Sequence, residues 1–337
     1  MASIFDKMMN IKTTAIANVL TESFEDKDCI STEVPILNAA FSGSLDGGLL
    51  SGISIFAGAS KSFKSMLSIY CMKAYMEKYP ESVAVFYDSE WGTTLDYWES
   101  MGIDTNRVLH IQIEHIEQLK FDIIKRLKEI EKGDKVFFLI DSLGALASSK
   151  EIDDAVNEKS VADMTRAKAI RSLLRMITPH FSMKDIPCVI INHVYQTMEL
   201  YSKAVVGGGT AVMYSANQIF IISKSQEKNG DELVGWNFTI NIEKSRFVKE
   251  KSKLVFTVLN NKGIKKWSGL FELALESGQI ISPSKGWYSV VDEDGVISDK
   301  KMRAKDLDNQ EFWEDFIKNE KFNAFVQNKF KLVPGEV

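Results

Sequence analysis

The rest of the chain is organised around the stretch Gly58-Ala59-Ser60-Lys61-Ser62-Phe63-Lys64-Ser65, which follows an apolar run at 53–57 and opens a long helical pattern. Strand, tight loop and helix in this order form the setting of a phosphate-binding loop, in which backbone N–H groups and the helix N-terminus face an anion. In such a loop Lys64 would reach the β- and γ-phosphates and the Ser65 hydroxyl would ligate Mg²⁺. The stretch therefore predicts a nucleotide-binding site.

One position departs from the usual pattern of such loops. Phe63 stands where Gly-x-x-x-x-Gly-Lys-Ser/Thr has its second glycine. A phenylalanine adopts a positive φ less readily than glycine, because its Cβ crowds the backbone there. The alternative is a helix start that happens to carry Gly58 and the Lys64-Ser65 pair. Residues elsewhere in the chain are needed to distinguish a phosphate-binding loop from such a helix start.

Composition narrows the class of protein. The 337 residues are 45% hydrophobic and 26% charged, which is typical of a soluble chain with a sizeable core. The formal net charge of −5 argues against a uniformly basic nucleic-acid binder but permits a local basic groove. Three cysteines without metal-ligand spacing indicate reduced thiols, and we find neither a signal-peptide pattern nor a membrane-length apolar run. We therefore expect a cytoplasmic protein that has no membrane partner.

Short apolar runs alternate with helical patterns along most of the chain. Strands are predicted at 53–57, 82–87, 108–113, 136–141, 188–192 and 219–222, and helices over 66–79, 116–130 and 163–181. This alternation predicts an α/β fold with a mostly parallel central sheet. Residues 194–214 have no strong period and are interpreted as a mobile loop. Beyond Gly235 the pattern predicts extended strands at 236–244 and 253–259 and a last helix around 312–330.

Three polar residues follow predicted strands and are candidates for the chemistry. Asp141 ends a run of bulky apolar residues, where an acid can face Mg²⁺ at the carboxyl edge of a sheet; the alternative is a polar strand cap. Glu90 could orient and deprotonate an attacking water, or it is a solvated loop acid. His193 could bond a γ-phosphate and report its presence to the following loop, or it is a satisfied surface histidine.

Together, several segments resemble the RecA-type recombinases in their order and spacing. These segments are 30–65, 86–90, 136–144, 191–193 and 207–214. The octet with Phe63 is most similar to the recombinases of T-even-like bacteriophages, as are Tyr87-Asp88-Ser89-Glu90 and Glu243-Lys244-Ser245-Arg246. The resemblance extends from about residue 10 to about residue 325 and makes Phe63 a feature of the subfamily. The long acidic tail that such phage proteins can carry is not found here, so regulation through such a tail is not expected.

The resemblance implies a domain organisation and a nucleotide site. We expect an N-terminal arm for subunit packing at 1–29, a RecA-like P-loop ATPase core at 30–265 and a small α+β C-terminal region at 266–337. In the arm, 11–20 could form a short helix, and the alternative for the whole segment is a frayed tail. ATP and Mg²⁺ would lie between adjacent subunits, with Tyr97 stacked on the adenine; the alternative for Tyr97 is a packing residue. In such filaments, basic residues at the positions of Lys244 and Arg246 reach the γ-phosphate of the ATP on the neighbouring subunit. The alternative for Lys244 and Arg246 is an ordinary exposed basic pair. If their strand continues, both point to one face.

DNA would be held by two loops, which match about 148–163 and 194–210. Candidate contacts just after the first loop are Arg166, Lys168, Arg171 and Arg175, and candidates in the second are Tyr201, Lys203, Gly207, Gly208 and Gly209. The spacing puts Lys168, Arg171 and Arg175 on one helix face, whose alternative role is an ordinary solvated face.

The function that this resemblance implies is ATP-dependent homologous recombination. We expect helical filaments on single-stranded DNA, pairing with double-stranded DNA and strand exchange, with a loading mediator and a single-strand-binding protein as partners. For a viral chain the location would be the host cytoplasm. Two alternatives stay open: a ring-forming hexameric helicase with the same core, and a mediator that binds DNA without hydrolysing ATP. The presence of Lys64, Glu90 and Asp141 argues against the mediator.

Overall fold

The computed structural model describes residues 4–11, 28–158, 164–197, 204–292 and 294–333. Its strands are β1 (Gly52–Gly58), β2 (Val83–Asp88), β3 (Val108–Gln112), β4 (Val136–Asp141), β5 (Pro187–Asn192), β6 (Val194–Gln196), β7 (Ala204–Val206), β8 (Gln218–Asn229), β9 (Glu232–Ser245), β10 (Lys253–Leu259), β11 (Gly263–Ile264), β12 (Ile280–Ser284) and β13 (Trp287–Val290). Its helices are α1 (Ile4–Met9), α2 (Pro35–Ser42), α3 (Lys64–Lys78), α4 (Leu95–Ser100), α5 (Ile116–Glu129), α6 (Ser149–Val156), α7 (Thr165–Met183), α8 (Thr210–Ser215), α9 (Leu270–Glu276), α10 (Ala304–Leu307), α11 (Gln310–Phe316) and α12 (Glu320–Phe330).

Within these ranges the centre of the molecule is a nine-stranded sheet with the spatial order β11-β10-β9-β8-β1-β5-β4-β2-β3. Neighbouring strands from β8 to β3 in this order are parallel, and β9, β10 and β11 extend the sheet with antiparallel pairs. The predicted α/β class with a mostly parallel sheet is confirmed. Because the carboxyl ends of parallel strands meet at one edge, the segments that follow β1, β5, β4 and β2 are neighbours in space.

Helices cover both faces of the sheet, because its central strands are apolar on both sides. Along β1, Ile53 and Ile55 point into one hydrophobic cluster and Phe56 points into the other. Leucine and isoleucine side chains of α5 and α7 fill the first cluster. The second is filled by α2, α3 and the C-terminal helices. The strand–helix alternation in the sequence thus builds a layered core around the strand that carries the phosphate loop.

A small α+β region follows the sheet in the chain and packs on it. Here β12 and β13 form an antiparallel pair, and Trp313 and Phe322 are buried in the same cluster as Phe41 of α2. An isolated antiparallel bridge pairs Lys331, near the end of the described residues, with Val248 in the segment after β9. The predicted C-terminal region is therefore present.

The prediction of a mobile loop over 194–214 is wrong for its described part. β6 and β7 pair antiparallel, with Val194 opposite Val206 and Gln196 opposite Ala204, and α8 follows. These elements have only three to six residues each, which is too short to show a hydrophobic period in the sequence.

Two helical regions also differ from the sequence pattern. The charged stretch assigned to the first DNA loop begins with α6, where a capping box joins Ser148 and Glu151: each backbone N–H donates to the other side chain. Local capping, rather than apolar periodicity, defines this helix. The single last helix predicted at 312–330 is wrong, because Asn319 accepts the Phe322 N–H at 2.8 Å and begins a new helix.

The described part of the predicted arm is 4–11 and 28–29, and it includes α1, which leaves Ile4, Phe5 and Met8 exposed. The short helix predicted at 11–20 lies almost entirely outside the described residues. Across the described ranges, every helix is too short or too polar to cross a membrane.

Candidate nucleotide site and nucleic-acid interface

The loop after β1 has the shape that its glycine and serine residues predict. A Cβ on Gly58 would lie 2.6 Å from the Ile222 carbonyl oxygen and 2.7 Å from Ser62 Oγ, so only glycine fits here. Ser62 Oγ donates to the Ala59 carbonyl at 2.8 Å and draws the loop back on itself. α3 begins at Lys64, so its free N–H groups face the inside of the loop. This is the geometry of an anion-binding loop.

Phe63 takes the backbone conformation that the missing glycine would have taken. Its φ is 67°, in the left-handed region, at the N-cap of α3. This conformation costs a non-glycine residue about 1–2 kcal/mol. The Phe63 ring packs against Phe238 and Phe256, with centroids 5.2 and 5.9 Å away, and such aromatic pairs contribute about 0.5–1.5 kcal/mol each. Packing against β9 and β10 thus offsets the cost, and the loop keeps its shape without the second glycine.

Lys64 is held in the middle of this loop. The side chain is buried, and its Nζ donates to the carbonyls of Gly58 (3.2 Å) and Ala59 (2.7 Å) and to Ser62 Oγ (3.3 Å). Burial lowers the pKa of Lys64, while the carboxylates of Asp141 and Glu90 act in the opposite direction. The ammonium group is therefore positioned to face a phosphate that enters the loop.

Asp141 ends β4 directly opposite the loop. Ser65 Oγ donates to Asp141 Oδ2 at 2.7 Å. The other carboxylate oxygen, Oδ1, is buried and accepts no hydrogen bond from the described part of the chain. A buried, partly unsatisfied carboxylate beside a hydroxyl is an oxygen donor set that suits a hard divalent cation such as Mg²⁺. The two residues therefore fit the predicted metal-binding role.

We expect Asp141→Asn to raise the thermal unfolding midpoint of the nucleotide-free protein at pH 8. Burial raises the pKa of Asp141 from 3.8 to about 6, so ionising this carboxyl costs folding free energy. At about 1.4 kcal/mol per pKa unit, the cost is on the order of 3 kcal/mol. The unfolded chain ionises at lower pH than the folded one, so the cost builds up between pH 4 and pH 6 and is complete above pH 6.

Calorimetry between pH 4 and pH 8 without divalent cations measures this effect. The variant and the wild type should converge in acid, and the same change at the exposed Asp231 should leave the midpoint unaltered. Equal midpoints of Asp141→Asn and wild type at pH 8 would contradict the prediction.

Glu90 and His193, predicted separately from two strand ends, are in contact. His193 Nε2 lies 3.2 Å from Glu90 Oε1, and Ser142 Oγ donates to the same oxygen at 2.5 Å. Ser142 Oγ is also 3.4 Å from His193 Nε2. The side chains of Glu90 and His193 are 42% and 34% exposed, so water can reach the cluster. The carboxylate is thus oriented by two neighbours while one side stays open.

Asp88 has a supporting role that the sequence reasoning missed. It is buried at the end of β2, and its Oδ1 accepts the backbone N–H groups of Glu90 (3.0 Å) and Trp91 (2.9 Å). Its Oδ2 lies 3.1 Å from His110 Nε2 on β3. Asp88 therefore fixes the turn that carries Glu90. The signal was available, because Asp88 ends an apolar strand as Asp141 does.

Tyr97 lies on α4 and is half-buried against the core. Burial raises the pKa of its hydroxyl, and the charge of Asp141 adds to this effect. The ring packs against the same hydrophobic cluster as α3, the helix that follows the phosphate loop. Stacking on adenine stays a prediction.

The basic residues of α7 have two different environments. The Arg166 guanidinium donates to the carbonyls of Leu146 (2.7 Å) and Gly144 (2.8 Å), which lie in the segment after β4. Lys168, Arg171 and Arg175 are exposed and share one face of the helix. In this structure Arg166 stabilises the segment after β4, and the other three form an exposed basic row.

The second candidate DNA loop is described at its two ends. Tyr201 and Lys203 lie outside the described residues. The Gly207 N–H donates to the His193 carbonyl at 2.9 Å. Gly208 and Gly209 have φ values of 91° and 70°, which favour glycine. The three glycines form the turn between β7 and α8, directly above His193.

Lys244 and Arg246 have separate settings. Lys244 Nζ donates to the carbonyls of Met213 and Ala216 (2.7 Å for the latter), so it caps the C-terminal end of α8. Burial lowers the pKa of Lys244, and the nearby charge of Arg246 lowers it further. β9 ends at Ser245, so Arg246 lies beyond the strand and is exposed. The strand does not continue far enough for the predicted shared face.

Sequence comparisons with known proteins support the interpretation of this geometry as a nucleotide site. A sequence profile of the RecA N-terminal domain matches residues 9–265. A profile of the C-terminal domain of the bacteriophage T4 recombination and repair protein, UvsX, matches residues 267–326. The chain is 45% identical to the recombination and repair protein of Enterobacteria phage T4, over 98% of this chain and 87% of that protein.

Bacterial relatives are more distant and align with a smaller part of the chain. Protein RecA of Chlorobaculum tepidum is 26% identical over 72% of this chain and 69% of its own length. Protein RecA of Mycoplasma mycoides is 27% identical over 70% of this chain and 67% of its own length. The resemblance to RecA-type recombinases, and to those of T-even-like phages in particular, is confirmed.

Proposed function

This chain belongs to the RecA family of recombinases, and we propose that it assembles on single-stranded DNA with ATP and catalyses homologous pairing and strand exchange. The observation that carries the proposal is the convergence of four segments at one edge of the sheet. There the phosphate loop, the Ser65–Asp141 pair and the Glu90–His193 pair adjoin the glycines at 207–209. The nucleotide site and the candidate DNA-binding segment are therefore in direct contact, through the hydrogen bond from the Gly207 N–H to the His193 carbonyl.

We assign each group at the nucleotide site a role. The backbone N–H groups of the phosphate loop and the Lys64 ammonium bind the β- and γ-phosphates. Ser65 and Asp141 would hold Mg²⁺, which when bound supplies charge compensation to the phosphates. Glu90 orients a water and takes its proton, while Ser142 and His193 keep the carboxylate in place.

DNA binding is assigned to the exposed row on α7 and to the second loop. We expect Lys168→Ala to weaken single-stranded DNA binding across sequences, because contacts to the phosphate backbone carry little sequence information. The slope of log affinity against log salt should flatten by about one unit. Lys132→Ala, an exposed lysine at the opposite edge of the sheet, is the control. A slope equal to the wild type's would place Lys168 outside the DNA groove.

A glycine variant tests the second loop in the same titration. Gly208→Ala should also reduce DNA affinity, since a Cβ there would lie 2.7 Å from Val212 Cγ2 and the φ of 91° disfavours alanine.

We propose that Arg246 and Lys244 act on the ATP of the neighbouring subunit, stabilising charge on the transferred phosphoryl group. Arg246→Ala should bind nucleotide as a monomer but lose DNA-stimulated hydrolysis. Lys244→Ala should do the same and also release the end of α8 that it caps. Mixing either variant with Lys64→Ala protein should restore part of the activity. At some junctions of a mixed filament, the variant supplies the intact phosphate loop and the Lys64→Ala subunit supplies intact Lys244 and Arg246. Mixed filaments without any activity would exclude this role in trans.

The organisation of the assembly is also proposed. The arm at 1–29 would pack on a neighbouring subunit of a helical filament, the core at 30–265 would hold ATP and DNA, and 266–337 would be a separate small region. The exposed apolar residues of α1 support the role of the arm, and the two adjacent profile matches, 9–265 and 267–326, support the boundary of the small C-terminal region. A loading mediator, a single-strand-binding protein and a host-cytoplasmic location complete the proposal.

Electron microscopy tests the proposed assembly. The full chain is mixed with single-stranded DNA and a slowly hydrolysed ATP analogue, and a helical filament is the expected result. Closed rings that unwind duplex from a loaded strand would favour a hexameric helicase. DNA binding without filaments, together with no ATP hydrolysis in a phosphate-release assay, would favour a non-hydrolysing mediator.

A further inference from the structure

A histidine on an edge strand of the sheet contacts the residue that supports Glu90. β3 forms one edge of the nine-stranded sheet, and His110 on β3 is paired in register with Phe86 on β2. The two rings are stacked, with centroids 5.1 Å apart and an angle of 14° between their planes. His110 also reaches the residue two positions further along β2, because its Nε2 lies 3.1 Å from Asp88 Oδ2. The strand register therefore places an imidazole next to Asp88.

The Glu90 turn, which we define as residues 89–91, has a strained backbone. Trp91 has a φ of 53°, in the left-handed region, which costs a non-glycine residue about 1–2 kcal/mol. Asp88 Oδ1 accepts the N–H groups of Glu90 and Trp91 and so holds the turn in this conformation. The rings of Trp91 and His110 pack edge to face, with centroids 5.8 Å apart. His110 thus contacts both the carboxylate that holds the turn and the residue that bears its strain.

The hydrogen bond from His110 fixes the orientation of the Asp88 carboxylate. An ionised carboxylate only accepts hydrogen bonds, so Nε2 is a protonated ring nitrogen and donates to Oδ2. With Oδ2 held by the imidazole and Oδ1 facing the turn, the carboxylate is held against rotation. The side chain of Asp88 is 4% exposed, so water has little access to it. Loss of a hydrogen-bond partner by such a buried group costs about 1–3 kcal/mol.

We propose that His110 is a positioning residue for ATP hydrolysis, which acts through Asp88 to keep Glu90 in place. The contacts run from His110 Nε2 to Asp88 Oδ2, and from Asp88 Oδ1 to the Glu90 N–H. A general base works only when it reaches the proton of the attacking water, and a misplacement of about 1 Å can cost about 100-fold in rate. The inference rests on the proposed role of Glu90 as the general base.

Two variants separate the hydrogen bond of His110 from its ring. His110→Phe keeps an aromatic ring in the same place but has no donor for Asp88. His110→Gln loses the ring but can donate its side-chain N–H to Asp88 at about the reach of the imidazole. His115→Phe is the matched control. His115 Nδ1 also lies near a carboxylate, 3.3 Å from Glu117 Oε2, but His115 is the N-cap of α5.

The readout is single-turnover ATP hydrolysis by the full chain at saturating ATP and single-stranded DNA. We expect His110→Phe to lower the rate by about 10-fold, less than the loss of the base itself, and His110→Gln to recover most of it. ATP affinity should equal that of the wild type in both variants, because Lys64 and Asp141 are unchanged. His115→Phe should hydrolyse ATP like the wild type, although loss of the cap lowers its unfolding midpoint.

A double variant shows whether His110 acts through Glu90. Once Glu90→Gln has removed the base, the position of this side chain no longer matters for proton transfer. The combination of Glu90→Gln and His110→Phe should therefore be as slow as Glu90→Gln alone. A merely structural role of His110 predicts that the two losses of rate multiply.

Several outcomes would overturn the inference. A wild-type rate in His110→Phe, no recovery in His110→Gln, or losses that multiply in the double variant would each remove the positioning role; a slow Glu90→Gln would then still support the proposed function. A wild-type rate in Glu90→Gln would remove both. If His110→Phe does not fold, ¹⁵N NMR of the wild-type imidazole decides. Nε2 must carry a proton, and a ring protonated at Nδ1 alone would refute the bond to Asp88.

Discussion

Lys64→Ala should abolish measurable ATP hydrolysis, a loss of more than about 10³-fold, which is the scale of removing one catalytic charge from a phosphoryl-transfer site. The Lys64 ammonium is buried in the middle of the loop, where it donates to the carbonyls of Gly58 and Ala59. Filament formation that depends on ATP should be lost with it. Phosphate release in the presence of single-stranded DNA measures the first effect, and electron microscopy measures the second.

Two further variants separate charge from geometry at this position. Lys64→Arg keeps the charge, but its planar fork does not match a pocket built for a compact ammonium group, so activity should stay low. Lys73→Ala removes a lysine from the same helix, where it pairs with Glu33 away from the loop, and should hydrolyse ATP like the wild type. Wild-type turnover in Lys64→Ala would refute the assignment of the phosphate loop.

Glu90→Gln should reduce turnover by about 10²–10⁴-fold, the usual effect of losing a general base. The amide keeps an oxygen for the Ser142 hydroxyl, which donates to Glu90 Oε1 in the wild type. Binding of ATP and DNA should therefore survive, and filaments formed with ATP should persist because they no longer hydrolyse it. Single-turnover kinetics at saturating ATP isolates the chemical step.

The controls for this variant follow from the surroundings of Glu90. Glu99→Gln changes an exposed acid on α4 and should have no effect on turnover. Asp88→Asn should have an intermediate effect, because it weakens the acceptor for the Glu90 and Trp91 N–H groups without removing the base. If Glu90→Gln hydrolyses ATP normally, Glu90 is only a loop acid.

Much of the nucleotide site could be predicted because its signals are local. The octet from Gly58 to Ser65 is one uninterrupted stretch, and Asp141, Glu90 and His193 each follow an apolar strand. The carboxyl ends of parallel strands all lie at one edge of the sheet, so these residues could be assigned to that edge before their contacts were known. These local signals were therefore sufficient to predict the fold class, the phosphate loop and the strand-end residues.

Which of these residues are in contact, and what the remaining ones bond, depends on segments that are far apart in the chain. The partners that accommodate Phe63 come from β9 and β10, far along the chain. Arg166 donates to a carbonyl in the segment after β4, and Lys244 donates to a carbonyl at the end of α8. Both residues have the positive charge expected of a residue that binds DNA or a phosphate group. Asn192 has no sequence motif, and its hydrogen bond to the Gly207 carbonyl forms only when the end of β5 meets the turn between β7 and α8. Such contacts depend on strand register and side-chain direction across the folded sheet, and residue type and local spacing do not encode these.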